Sequence, residues 1–141
     1  KAFYKDIQVK HCGWNNQKIK RLYNKNITKY NSNDVHEDII TDSLKIEELK
    51  GNVEHYSYHS ISEFIIKADR YSTLFASNNA GKKSSSPVKA FLNGLYSFFR
   101  TYILKQGFRD GYVGLVIAFS HMVTNFYKYI KLYELNKELK K

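Results

Sequence analysis

At 141 residues the chain can hold one domain with a core or two small units, and 43% apolar with 16% aromatic residues excludes a disordered tail. The net charge of +10 is unevenly placed: residues 1–80 hold 12 Lys/Arg against 10 Asp/Glu, whereas residues 81–141 hold 11 against 3. A basic, aromatic-rich C-terminal part points to an anionic surface, phospholipid or nucleic acid, and a single cysteine, Cys12, excludes an internal disulfide and suits a cytosol-facing protein.

The first 58 residues read as strands and loops. Phe3, Ile7 and Val9 alternate roughly with polar residues. The run Lys18-Ile19-Lys20-Arg21-Leu22-Tyr23 suggests a strand that stops at a turn, Asn24-Lys25-Asn26. A polar stretch over residues 31–42 reads as a working loop. Gly51-Asn52-Val53-Glu54-His55-Tyr56-Ser57-Tyr58 reads as another strand, with Val53, His55 and Ser57 on one face.

The pattern changes at Ser60. Ser60-Ile61-Ser62-Glu63 fits a capping box. Ile61, Phe64, Ile65, Ala68, Tyr71, Ser72 and Phe75 follow at helical spacing. Residues 77–86, rich in Asn, Gly, Lys and Ser, break that helix and are expected to be mobile. Ser86-Pro87 opens a second helix with the apolar stripe Val88, Phe91, Leu92, Leu95, Phe98, Phe99, Tyr102 and Ile103, and Gly107 is its expected C-cap. A third helix is expected from Asp110 to about Leu139, apolar in its first half, amphipathic and basic in its second. The longest apolar stretch, residues 112–123, contains Ser120 and His121 and is too short and polar for a transmembrane helix. The expectation is an α+β chain in two parts, 1–58 and 59–141. Residue 1 is Lys, and the chain reads as a portion of something longer.

Several local patterns, in order along nearly the whole chain, resemble bacterial family 2 glycosyltransferases of the lipopolysaccharide-core type. They are His11-Cys12-Gly13-Trp14 with the run from Lys18 to Asn24; Asp34-Val35-His36-Glu37; Leu49-Lys50-Gly51 leading to His55-Tyr56-Ser57-Tyr58; Arg70-Tyr71-Ser72-Thr73; and Arg100-Thr101-Tyr102-Ile103-Leu104, Gly107-Phe108-Arg109-Asp110-Gly111, Gly114 and Lys128-Tyr129-Ile130-Lys131-Leu132. The resemblance implies a GT-A fold and a nucleotide-sugar donor, with a divalent metal, Mn²⁺ or Mg²⁺, held mainly by an Asp-x-Asp motif that this sequence lacks. On that reading the chain is the C-terminal, acceptor-side part. It transfers nothing without the donor-binding half, and it works on a lipid-linked saccharide acceptor at the cytoplasmic face of the membrane.

Inverting sugar transfer needs a base at the acceptor hydroxyl, and a carboxylate serves. The leaving diphosphate needs positive charge. By resemblance Glu37 is the base and Asp38 the second choice; a solvated acidic loop or an N-cap is the competing account. His36 either orients Glu37 or approaches the diphosphate. His55 is the implied further metal ligand, or else a strand histidine packed under a helix. Arg21 could pair with phosphate or sit on the surface. Trp14 could stack on a sugar or belong to the core. Asp34 and Tyr56, within the matching motifs, are assigned substrate contacts. Cys12 reads as a small buried residue. The last two helices combine Phe/Tyr stripes with Lys and Arg, which suits the membrane interface, each cation near anionic lipid contributing about 1 kcal/mol; packing on each other with lysines in water is the alternative. A non-catalytic basic module for nucleic acid or a protein partner, or a self-associating piece, is the competing function. No helix-turn-helix, RNP or finger pattern supports nucleic acid.

Overall fold

The structure is a computed structural model of the chain, and it describes residues 1–14, 18–20, 22–32 and 38–140. It is an α+β arrangement. Two compact units are present: Lys1–Asn15 together with Glu54–Lys141, and Asn16–Val53. The change from strand to helix near residue 58 is real, but the first strands and the helices share one unit.

In the first unit, strands β1 (Ala2–Tyr4) and β2 (Ile7–Val9) form an antiparallel hairpin, and β3 (His55–Tyr58) joins β1 in parallel, giving the order β2-β1-β3. Lys5 turns the hairpin with φ of 50°, a left-handed conformation that a two-residue loop demands. The strand expected over 51–58 is shorter, because only His55 onward pairs with β1; the amide of His55 donates to the carbonyl of Lys1 at 2.8 Å.

Helix α1 (Ile61–Asn79) starts as expected. Ser60 Oγ accepts from the Glu63 amide at 3.3 Å, and Glu63 reaches back to the His59 amide at 3.0 Å. Helix α2 (Pro87–Phe99) is capped by Ser86 Oγ, which accepts from the Lys89 amide at 3.1 Å. It runs into a π-helical turn, Arg100–Leu104, then a 3-10 turn, Gly107–Asp110, and α3 (Gly111–Glu138). Gly107 is not the C-cap. Gln106 takes the left-handed position with φ of 55°. Gly107 is glycine for space: a Cβ there would lie 2.8 Å from the Thr101 carbonyl oxygen and 2.9 Å from Cys12 Sγ.

The core lies where the sheet meets the first turns of α1 and α3. Tyr4, Val9, Cys12, Phe64, Val113 and Ile117 are buried together, with Trp14, Tyr58 and Val116 against them. Tyr58 stacks on Phe64 at 3.8 Å between ring centroids, and Trp14 stacks on Tyr58 at 5.6 Å. The Lys67 ammonium sits 4.0 Å from the Tyr58 ring centroid.

Helix α2 packs through small residues, whereas α3 buries Val113, Ile117 and Leu132 as well as Gly114 and Ala118. Helix α1 buries Phe64, Ala68, Ser72 and Ala76. Helix α2 buries Ala90 and Gly94, and the following turn buries Thr101. The small residues let backbones approach: a Cβ on Gly94 would lie 3.1 Å from the Met122 carbonyl oxygen. The large residues of the α2 stripe point away. Val88, Phe91, Leu92, Leu95, Tyr96, Phe99, Ile103 and Leu104 are all exposed, and so are Phe108, Tyr112, Leu115 and Phe119 beyond the turn. Small side chains inside and large apolar ones outside is the pattern of helices that meet lipid or a partner. Among the described residues, no helix is long and apolar enough to cross a membrane.

The second unit is mostly without regular elements. The run from Lys18 to Tyr23, where described, is not a strand. The turn after it forms: the Ile27 and Thr28 amides both donate to the Asn24 carbonyl, at 2.9 and 3.1 Å. An isolated antiparallel bridge joins Tyr30 and Ile39, extended by Asn31 N–H to Asp38 O at 2.8 Å.

Candidate functional site

Asp38, the one described carboxylate of the acidic stretch, is held by a lysine. Lys20 Nζ donates to Asp38 Oδ2 at 2.9 Å, to the Ile39 carbonyl at 3.1 Å and to Thr41 Oγ1 at 3.1 Å. Asp38 Oδ1 accepts from the Ile39 amide at 2.9 Å. The Lys20 hydrogen bond, then the Ile39 amide, hold the Asp38 carboxyl below its usual range. A carboxylate already bound to an ammonium is a weak base for a sugar hydroxyl, so Asp38 is better suited to shaping this loop. Asp34, His36, Glu37 and Arg21 lie outside the described residues.

In the first unit, His55 is exposed on β3. The picture of a strand histidine packed under a helix does not hold, because its ring faces solvent at the start of the strand. Among the described residues no three His, Cys, Asp or Glu side chains group as a metal site, so His55 brings a single imidazole. Tyr56 is exposed as well, stacked on Phe3 at 5.0 Å and near His59 at 6.4 Å, and its hydroxyl donates to Glu54 Oε2 at 3.1 Å. That face of Phe3, Tyr56 and His59 is a small aromatic platform, suited to a planar or sugar-like partner. Trp14 is half-buried and packs beside the Tyr58–Phe64 stack, 5.6 Å from the Tyr58 ring centroid and 6.4 Å from that of Phe64, at the edge of the core. Cys12 is fully buried, and burial, reinforced by Asp110, pushes its thiol up to about 12. It is not a nucleophile.

Two further features stand out, of which only the second, the α2 stripe, was expected from the sequence. The first is His11 with Asp110. Asp110 accepts from the amides of Lys10 at 3.2 Å and His11 at 2.8 Å, and it bonds the His11 ring at Nδ1, also 2.8 Å. Its side chain is only 5% exposed, that of His11 22%. A carboxylate at Nδ1 makes that nitrogen the donor and orients the ring. This is an oriented imidazole at the surface, placed by the β2 exit and the 3-10 turn. The partners lie 99 positions apart, so no local spacing could show the pair.

The second is the outward face of α2. Its signal was present in the sequence: Ala90, Gly94, Ser97 and Thr101 recur at helical spacing opposite the aromatic stripe. Those small residues meet a polar seam on α3. Asn125 Nδ2 donates to Ser97 Oγ at 2.9 Å, and Thr101 Oγ1 bonds His121 Nδ1 at 3.0 Å. Burial, then the charges of Lys105 and Lys128, bring His121 down to about 4, so it is neutral at pH 7. The exposed stripe is continued across the turn by ring contacts, Phe98 to Tyr102 at 5.4 Å and Tyr102 to Phe108 at 6.3 Å. Between residues 80 and 133 the sequence has eight Lys/Arg and one carboxylate, Asp110, which is buried against His11. This part of the chain is therefore strongly basic.

No protein-family model matches the chain. No solved structure matches it significantly.

Proposed function

We propose that this chain is the acceptor-side, membrane-docking part of a family 2 glycosyltransferase that modifies a lipid-linked saccharide at the cytoplasmic membrane surface. The observation that carries the reading is the exposed aliphatic and aromatic face of α2 and the start of α3, in the strongly basic part of the chain. Water disfavours such a surface, since fully burying one large apolar side chain contributes about 1.5–3 kcal/mol. An anionic bilayer accepts the apolar groups and neutralises the lysines and arginines together. Docking would raise the effective concentration of a membrane-anchored acceptor.

The transferase chemistry rests on the motif resemblance. Glu37 is the proposed base, with His36 beside it, and Asp34, Arg21 and the Tyr56 platform as substrate contacts. His55 is the proposed additional ligand to a Mn²⁺ or Mg²⁺ ion whose other ligands come from a donor-binding half outside this chain. The residues described here fit such an ion only as contributors. The oriented His11 imidazole favours one refinement: a second group, apart from the acidic loop, able to accept a proton or hold a substrate hydroxyl.

The test of docking is co-sedimentation with vesicles. Vesicles containing about a third anionic phospholipid should carry the chain down at low ionic strength, and neutral vesicles should not. Equal recovery with both, or with neither, defeats the reading. A protein-partner surface is the competing account, and a change of solution mass without lipid dependence would support it instead.

A further inference from the structure

The turn between α1 and α2 and the last turns of α3 enclose a groove of about 470 Å³, lined by Lys82, Lys83, Lys137 and Lys140 with Ser84 and Ser85. No Asp or Glu lines it. The four ammonium groups form no ion pair among the described residues. Those with defined partners rest on neutral groups: Lys82 Nζ donates to the Asn78 carbonyl at 3.2 Å, Lys83 Nζ lies 5.6 Å from the Phe75 ring centroid, and Lys137 Nζ lies 5.2 Å from that of Tyr133. Among the described residues no carboxylate pairs with them.

The groove has a fixed floor. Asn136 grips the turn at both ends, accepting from the Gly81 amide at 2.8 Å and donating to the Lys83 carbonyl at 2.8 Å. Ser85 Oγ donates to the Tyr129 carbonyl at 2.6 Å, and Lys89 Nζ donates to the Ser84 carbonyl at 2.9 Å. A segment that its Asn, Gly, Lys and Ser content suggested was mobile is tied to α3 at several points. Four lysines lining one groove, two from the pinned turn and two at the C-terminal end of α3, with no Asp or Glu in the lining, form a site that gathers negative charge.

We propose that this groove binds a phosphate-bearing group. Lysines act here as point charges around the oxygens, so binding is electrostatic and weakens with salt. The site does not depend on the transferase reading. A phospholipid headgroup and a free diphosphate-bearing molecule offer the same chemistry.

The experiment is titration calorimetry of the chain with inorganic pyrophosphate in about 50 mM salt, using K82E/K137E and, as a charge-matched control, K18E/K45E. All four lysines are exposed, and circular dichroism checks that each variant is folded. The native chain and the control should bind pyrophosphate alike, and K82E/K137E should bind at least tenfold more weakly. No binding by the native chain, or equal weakening in both variants, overturns the proposal. A second arm adds anionic vesicles. Displacement of the native chain by pyrophosphate, absent in K82E/K137E, assigns the phosphate to a lipid headgroup. Pyrophosphate binding that leaves vesicle attachment unchanged assigns it to a free ligand. The first arm contains no lipid, so its outcome is separate from the membrane reading.

Discussion

Replacing Gly114 by Ala should be among the most damaging single changes in the protein. A Cβ at Gly114 would lie 1.8 Å from the Gly107 carbonyl oxygen and 2.7 Å from its carbon. Carbon and oxygen cannot approach within about 3 Å, so α3 or the 3-10 turn must move by more than 1 Å. Neither is free to do so. The turn carries Asp110, which holds three groups of the β2 exit, and Gly107 is already pressed against Thr101 and Cys12. Overpacking alone costs about 1–3 kcal/mol. Weakening the hydrogen bonds to the Asp110 carboxylate adds about 1.5–3 kcal/mol. The expected total is roughly 3–5 kcal/mol, against a whole stability of about 5–15 kcal/mol. At this chain length that is a loss of about 10–20 °C in melting temperature. Gly111 is the comparison. Nothing lies within 4 Å of its would-be Cβ, but its φ is 61°, so Gly111→Ala should cost only about 1–2 kcal/mol of backbone strain. Thermal unfolding followed by circular dichroism reads both. If Gly114→Ala melts within about 2 °C of the parent, or above Gly111→Ala, the packing argument fails.

Other outcomes follow from the same geometry. Glu37→Gln in the full-length protein should abolish sugar transfer and leave donor binding intact; near-normal turnover would remove Glu37 from the role. Cys12 should resist iodoacetamide at pH 8 in the folded chain and react promptly in urea, because the buried thiol titrates near 12; fast native labelling would contradict its burial. His121 titrates near 4 in the fold and near 6.5 when unfolded. The unfolded chain binds the extra proton between those values, so stability is full above about pH 6.5 and falls as pH drops towards 4, by roughly 3 kcal/mol. Urea midpoints at pH 7 and 4.5 measure this, and His121→Gln should flatten the difference; an unchanged slope would exclude His121 as its source.

Local signals were legible and distant ones were not. Ser60 and Ser86 declare their helices because a cap is a contact over three residues, and both caps form. The strand expected at residues 18–23 does not form at the described positions, because alternation alone cannot supply a pairing partner. Gly107 was given a conformational role, but its true constraint is the approach of Cys12, almost a hundred residues earlier. The aromatic stripe of α2 was correctly drawn. Its direction was hidden because periodicity marks two faces without saying which one is buried. Ala90, Gly94 and Thr101 decide it, since only small residues let α2 approach the backbone of α3. Trp14 was left between core and sugar platform, and it is half-buried beside the Tyr58–Phe64 stack, at the edge of the core. The His11–Asp110 pair needed the fold, because only the docking of the 3-10 turn on the β2 exit brings the two together.

The account turns on which way the α2 stripe faces when lipid is present. Leu92→Cys, labelled with an environment-sensitive fluorophore, reports on that face directly, and buried Cys12 should not take the label. A second probe at Lys45→Cys lies in the other unit. On adding anionic vesicles, the probe at residue 92 should shift to the blue and brighten while the probe at residue 45 stays unchanged. No change at residue 92, or the same change at both positions, would contradict the docking of this face to a membrane.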